Sequence, residues 1–258
     1  MKIKNYIIAH KNFKVPQLEG YVPIQVGAEG KDDLGFIKDN LGDNISEKNP
    51  NYCELTGMYW VWKNDKDSDI IGISHYRRYF ANGFLLFKKI INQDKIEKLI
   101  KKYDVIVAKK EIYRENVYMQ YCNNSGFAKD LELVKRIIKE KFSNEYEDAF
   151  NKVMSSNKIS QYNMMIAKRE TYSEYCQWLF EILFEVEKKA DLTDYNDYQK
   201  RIYGFLAERL LNVWLLANNN LKVKKLLVIN TESTFEEKLK IRLRRIKNNI
   251  IFYANKQK

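Results

Sequence analysis

Six consecutive positions carry the densest chemistry in the chain. Ser74, His75, Tyr76, Arg77, Arg78 and Tyr79 follow the apolar run Ile70 to Ile73 in the stretch IIGISHYRRYF. Guanidinium groups bind phosphate bidentately, and imidazole and phenol groups add further hydrogen-bond donors, so the cluster suits an anionic ligand that also carries hydroxyls. The apolar run reads as a short buried strand, and in open α/β sheets ligands bind beyond the carboxyl ends of strands. The competing reading pairs Arg77 and Arg78 with surface acids and buries Tyr76 and Tyr79 in the core. Only one other histidine is present, His10, and it too follows a strand-like run, Lys4 to Ala9.

The neighbouring elements must hold that cluster in place. Upstream, Leu55, Met58, Tyr59 and Trp62 recur at three and four residues, which predicts a helix starting near Asn49. Asn49 or Asn51 would cap it, with Pro50 in the first turn. A second strand, Tyr21 to Val26, ends at Gly27-Ala28, where glycine lets the backbone turn or approach a ligand. No Walker or GxGxxG pattern accompanies it. Residues 29–49 read as a long, functional loop. Asp65 to Asp69, DKDSD, contains an Asp-x-Asp pattern. It precedes the strand, however, and so falls at the edge opposite His75. Further helices are predicted over Asp94 to Lys101, Asp130 to Lys141, Glu170 to Lys189 and Tyr203 to Leu216. Strands are predicted over Asp104 to Ala108 and Ser160 to Lys168, and a loop or lid over Tyr113 to Phe127. Alternating strands and helices indicate an α/β fold with a mainly parallel sheet.

Composition narrows the class. An apolar content of 45% over 258 residues supports an ordinary core, and no apolar run reaches the roughly 18 residues of a membrane span. The first ten residues read as a strand rather than a signal peptide, which predicts a cytoplasmic location. Cys53, Cys122 and Cys176 are odd in number and far apart, which argues for reduced thiols and against a zinc site. The net charge of +11 permits phosphorylated substrates, nucleic acid or an anionic membrane. From Phe235 onward, Leu239, Leu243, Ile246 and Ile250 share one helical face among six Lys and Arg residues. Such a basic amphipathic helix fits a membrane surface or a partner, and equally a solvated helix packed on the domain.

The pieces IIAHK, YVPIQVGA, GDNIS, NPNYCELTGMYWVWKN, GISHYRRYF, KKYDVIVAKK, YNMMIAKRE and YGFLAERLL occur in an order that resembles a bacterial glycosyltransferase family. The family was first catalogued as a domain of unknown function and is common in capsular polysaccharide, exopolysaccharide and O-antigen gene clusters. The likeness spans roughly residues 3–230. It implies a GT-A-like, Rossmann-type glycosyltransferase domain over 1–230, followed by a basic amphipathic tail over 231–258. It also implies transfer of a hexose, galactofuranose or galactose, from a UDP-sugar to a lipid-linked glycan acceptor. By the same likeness His10, Lys11, Val26, Gly27 and Ala28 lie near the nucleotide, and Asp43, Asn44 and Asn49 in a loop closing over it. His75, Tyr76, Arg77 and Arg78 lie near the diphosphate and sugar, Asn163 and Met164 on the acceptor side, and Glu208 and Arg209 in the same cleft. Similar sequences carry a His shortly before the Asp-Leu pair matching Asp130-Leu131, where this chain reads NNSGFAKDL.

Sugar transfer must stabilise the departing diphosphate. GT-A enzymes usually do so with a metal on an Asp-x-Asp motif. Here the matching place holds His-Tyr-Arg-Arg, so Arg77 and Arg78 with His75 are expected to replace the metal, and no cofactor is required. An acceptor hydroxyl must also lose its proton, and Glu208, Asp130 and Glu54 are the candidate bases. The alternatives are a catalytically inactive scaffold of a polysaccharide assembly complex and a basic protein binding nucleic acid or membrane. No nucleic-acid recognition motif is present, so no specific nucleic-acid partner is expected. The expected partners are a UDP-sugar, a lipid-linked oligosaccharide and an anionic membrane surface reached through the tail. The chain would then associate peripherally with the inner face of the cell membrane.

Overall fold

Alternation along the strands sets the two faces of the central sheet. A computed structural model of the chain describes residues 1–83 and 88–255. In β1 (Ile3–Ala9), Tyr6 and Ile8 point to one side, while Ile3, Asn5 and Ile7 point to the other. The chain continues through β2 (Tyr21–Gln25) and β3 (Ile37–Lys38), then α1 (Asn49–Tyr52) and α2 (Leu55–Asn64). Next come β4 (Ile70–His75), β5 (Arg78–Asn82), β6 (Lys89–Ile90), α3 (Gln93–Ile100), β7 (Val105–Ala108) and β8 (Glu111–Ile112). Three helices follow: α4 (Val117–Asn124), α5 (Ala128–Lys141) and α6 (Asn144–Ser155). The remaining elements are β9 (Lys158–Ile159), β10 (Met165–Lys168), α7 (Arg169–Lys189), α8 (Ile202–Ala217), β11 (Val223–Asn230) and α9 (Phe235–Asn255). Residues 256–258 of the expected tail segment lie outside the described residues.

The large sheet is mixed, not mainly parallel. Its order is β3-β2-β1-β4-β10-β7-β11-β5-β6. Parallel pairing runs from β3 to β4 and again between β7 and β11. β10 is antiparallel to both its neighbours, and β5 to β11 and β6. The expectation failed at Ser160 to Lys168. The chain turns sharply before Met165, so β10 enters the sheet in the reverse direction. A single bridge, His75 to Arg78, also joins β4 to β5, which curls the β4-β10-β7-β11-β5 portion into a partial barrel.

One face of the sheet carries the main core. Tyr6, Ile8, Ile71, Ile73, Val105, Val107 and Met165 pack there against α2 and α5 to α8. Gly57 of α2 sits so close that an added Cβ would lie 2.7 Å from Val26. The other face holds a smaller cluster in which α3 contributes Ile96, Leu99 and Ile100 against Ile70, Ile106 and Ile166.

Local chemistry explains several departures from the expected elements. The helix expected from Asn49 through Trp62 breaks at Cys53, whose φ is +53°. Lys48, not Asn49 or Asn51, occupies the N-cap position, with Pro50 in the first turn. The expected loop or lid at Tyr113 to Phe127 contains a helix instead, α4, capped by the Asn116 side chain accepting from Met119 N. Asp65 holds its turn from within. It accepts from Tyr6 Oη, Ser68 and the Asp67 amide and pairs with Arg169, at the sheet edge away from His75. All three cysteines are free, and only Cys176 is fully buried.

Candidate functional site

Three parallel strands end together. Ile8 of β1 lies opposite Ile24 of β2 on one side and His75 of β4 on the other. The chain therefore leaves β1 toward both flanks, which is the switch-point arrangement that opens a crevice at the carboxyl ends of strands. A cleft of about 620 Å³ lies there, within the usual range for small-molecule sites. His75 shares the parity of Ile71 and Ile73 and so faces the helical layer. Tyr76 and Arg77 form the turn to β5. The far side of that turn is pinned by β11, through the Asn230 to Arg78 pairing and the Thr231 amide donating to the Arg77 carbonyl.

The opposite wall comes from the helix break and the turn before β10. Cys53, Tyr162 and Asn163 are the non-glycine residues with positive φ among the described residues, and all three meet here. Such conformations cost about 1 to 3 kcal/mol each and concentrate where function over-determines the backbone. Asn49 bridges the break, its Nδ2 donating to the Cys53 carbonyl at 2.7 Å and to Thr56 Oγ1 at 3.1 Å. Arg201 Nε lies 3.1 Å from Cys53 Sγ. Burial, with the charge of Glu54, pushes that thiol up to about 11, so it stays protonated at neutral pH. The strained segments hold two carboxylates. Glu54 Oε1 accepts from Asn163 Nδ2 at 2.8 Å, and Glu208 Oε1 accepts from the Tyr162 amide at 3.0 Å.

Charge is distributed around this frame in a definite pattern. The Arg78 guanidinium lies 4.8 Å over the Tyr162 ring. Arg209 is 3% exposed; its Nη1 donates to the Phe205 carbonyl and pairs with Glu208 Oε2 at 3.2 Å, and its Nη2 donates to Gln120. Burial raises the Glu208 carboxyl; Arg209 opposes the shift and the charge of Glu54 adds to it. Burial, with Arg78 and Arg77 close by, drives His75 down to about 3, against a hydrogen bond to the Tyr162 backbone. His10 is lowered by burial and by Lys11, Lys31, Arg77 and Arg201. Both imidazoles are therefore neutral at pH 7. Four buried polar atoms of these residues lack a hydrogen-bond partner: His75 Nε2, Arg77 Nε, Arg209 Nε and Asn163 Oδ1. Each such atom costs about 1 to 3 kcal/mol, which is a reason to look for a ligand or a rearrangement that would satisfy it. Among the described residues no group of three or more His, Cys, Asp or Glu side chains is disposed to hold a metal ion.

Most of the expected site residues converge. His10, Val26, Asn49, Glu54, His75, Tyr76, Arg77, Arg78, Glu208 and Arg209 line the cleft, and Asn163 supports Glu54 from behind. Lys11 stands at the rim, 4.9 Å over Tyr76 and paired with Glu232. Others need correction. Asp130 is 2% exposed and outside the cleft. Its oxygens accept from Tyr121, Tyr195 and the Phe127 amide, so it braces the start of α5. Met164 is fully buried under the sheet with Ile70 and Phe80. Asp43 accepts from Tyr59 Oη, and Asn44 closes its own turn through Gly42 and Ser46; neither reaches the cleft. The Gly27 and Ala28 amides are already taken by the Asp39 carboxylate at 2.9 and 3.0 Å, so they are not free to cradle a phosphate.

Sequence reading missed Asp39, Gln120, Gln161, Tyr162, Tyr198 and Arg201. Arg201 reaches Cys53 across 148 positions of chain, and only tertiary structure brings them together. A signal for the Tyr162-Asn163 turn did exist, since Asn is enriched at positive φ.

The sequence profile of a family described as a domain of unknown function (DUF4422) matches residues 4–219. The search of curated proteins gave no match. Among solved structures the chain is similar to the apo form of a WbbM bifunctional glycosyltransferase. The two share 28% identity with a TM-score of 0.83, over 90% of this chain and 46% of that one. This chain thus spans about half the length of that protein.

Proposed function

The chain belongs to the DUF4422 family, and on that premise we propose that it is a glycosyltransferase. In this reading it moves a hexose, galactofuranose or galactose, from a UDP-sugar to a lipid-linked glycan acceptor in capsular, exopolysaccharide or O-antigen synthesis. The observation that carries the proposal is the pairing, in one cleft, of the cations Arg77, Arg78, Arg201 and Arg209 with the carboxylates Glu54 and Glu208. The similarity to a glycosyltransferase supports it.

The roles follow from the geometry. Arg77, Arg78 and Arg201 are open enough to reach a diphosphate, and their fixed positive charge stabilises it as the C1–O bond breaks and the electron pair leaves with it. Arg209 is buried against Glu208 and Gln120 and acts by positioning Glu208. Glu208 is the proposed base. Its raised proton affinity moves it toward the operating pH, where a carboxylate contributes about 10² to 10⁴ in rate as it takes the acceptor hydroxyl proton. Glu54, with one oxygen held by Asn163, orients a sugar hydroxyl through the other. Neutral His75 and His10 serve as hydrogen-bonding groups at the sugar and nucleotide, respectively. The arginines take over the charge neutralisation that a divalent metal would supply, so the reaction proceeds without one.

The test is a thermal-shift screen of the purified chain against UDP, GDP, CMP and dTDP, with and without Mn²⁺. At about 100 times its dissociation constant UDP stabilises the fold by about 2.7 kcal/mol, or roughly 5 to 10 °C. That response is expected to be selective for UDP and lost in Arg77→Ala. No response to any nucleotide would refute the proposal and favour an inactive scaffold. Transfer abolished by EDTA and restored by Mn²⁺ would refute metal independence alone.

A further inference from the structure

α9 is docked by a mixed side on which Arg245 and Asn248 make the polar contacts. Arg245 pairs with Glu111 of β8 through both carboxylate oxygens, and Asn248 Nδ2 donates to the Ile112 carbonyl at 2.8 Å. The Lys158 ammonium lies 3.9 Å from the Phe252 ring centroid. At about 100° per residue, Arg245, Asn248 and Phe252 share one side of the helix. Phe235, Leu239, Leu243, Ile246 and Ile250 share the other, and they are 76, 45, 58, 47 and 64% exposed. A surface helix ordinarily turns its apolar stripe to the core. Here the stripe faces outward, and cations follow both its edges, Lys240 and Lys247 along one and Lys238 and Arg242 along the other. Of these, Lys240 is paired with Glu236.

We propose that this stripe lies in the interface of an anionic phospholipid bilayer, with α9 parallel to the membrane surface at the cytoplasmic face. Charge complementarity selects the occupant. The helix carries six Lys and Arg against two Glu, and basic flanks on both edges of an apolar stripe match anionic headgroups above an acyl boundary. The same flanks would meet like charge on a second copy of the chain, which disfavours self-association through this face. Described residues contain no helix long and apolar enough to cross a membrane, so attachment here is lateral.

The docking strand also fixes what the membrane would meet. Ile112 precedes Tyr113, whose hydroxyl accepts from Gln161, and Gln161 and Tyr162 line the cleft. α9 is therefore anchored beside the cleft rim, and a bilayer under its stripe lies about one helix diameter from that rim. This purpose rests on the lipid-linked acceptor reading, whereas binding to lipid does not.

The experiment is cosedimentation of the full chain with sucrose-loaded vesicles, either pure phosphatidylcholine or containing about one third phosphatidylglycerol. Partitioning into the anionic vesicles is expected to be at least about tenfold stronger and to weaken as salt rises. Leu243→Glu with Ile246→Glu is expected to lose about tenfold or more of that binding, with an unchanged urea midpoint showing intact folding. Lys240→Glu with Lys247→Glu is expected to lose the preference for anionic lipid. Absence of sedimentation with either vesicle, or equal sedimentation of the stripe variant, would overturn the proposal. So would a dimer in sedimentation velocity that the stripe variant dissolves. Vesicle binding requires no turnover. A chain that binds lipid but ignores every nucleotide would sink the catalytic reading and leave this one standing.

Discussion

His75→Gln tests the electrostatics of the cleft through the stability of the whole chain. His75 is buried at the end of β4, with its proton affinity lowered from the ordinary 6.5 to about 3 by burial, Arg78 and Arg77. A group whose folded pKa lies below its unfolded one stabilises the fold above the unfolded pKa, and that contribution drains away as the pH falls toward the folded one. The window therefore opens near 6.5 and closes near 3. Between pH 7 and pH 5 the unfolded chain takes up a proton that folded His75 refuses. At 1.36 kcal/mol per pH unit this costs the native state about 2 kcal/mol. Glu208 acts in the opposite sense, because its raised affinity favours the folded state as it protonates, and His10 adds to the loss. Comparing wild type with His75→Gln cancels both. The assay is urea unfolding at pH 7 and pH 5 at fixed ionic strength. The wild-type midpoint should fall by about 0.7 M more than that of the variant, for a slope near 3 kcal/mol/M. The chain has two histidines, so imidazole NMR adds an independent reading, with the His75 resonances failing to titrate down to pH 5. Equal pH dependence in both proteins, or a His75 that titrates near 6.5, would refute the reasoning.

Three further outcomes separate bracing from chemistry. Asp39→Ala orphans the buried Gly27 and Ala28 amides and the Ser46 hydroxyl, and should cost about 3 kcal/mol in urea unfolding. Glu208→Gln should lower kcat by about 10² to 10⁴ with little change in Tm. Asp130→Asn should lower stability by about 2 to 3 kcal/mol, by unbalancing its bonds with Tyr121 and Tyr195, and leave the activity of the folded fraction intact.

What the sequence made legible divides along physical lines. Period and burial revealed β1, β2, β4, α7 and α8, because each is a long run with one apolar pattern. The His75-Arg77-Arg78 cluster was legible because its residues are adjacent and its strand is apolar. Glu208 was legible as a cleft acid only through the family likeness, whereas Glu54 stood out as an acid set in an aromatic helix beside Cys53. Asp130 was misassigned because an acid at the third position of a helix looks the same in sequence whether it braces or reacts. Met164 was misassigned because the positive φ at Asn163 redirects the next side chain into the core. α6 was missed although its polar and apolar residues alternate at helical spacing. Strand β11 was missed because its LLVI centre follows two lysines, and nothing local says that it lies between β7 and β5.

The position of β11 has a consequence for how the molecule is made. β5 is complete once Asn82 has been synthesised and β6 follows directly, yet β11, which pairs with its other edge, is not complete until Asn230. At about 5 to 20 residues per second, a growing chain holds that hydrogen-bonding edge open for roughly seven to thirty seconds. During this interval the turn carrying Arg77 and Arg78 lacks its support from β11, and the unpaired edge can template the wrong partner. The cleft is thus assembled late in translation, although its first residue, Ile8, emerges among the earliest. A ribosome stalled between the codons for Ala217 and Asn230 would present the helical layer without a working floor.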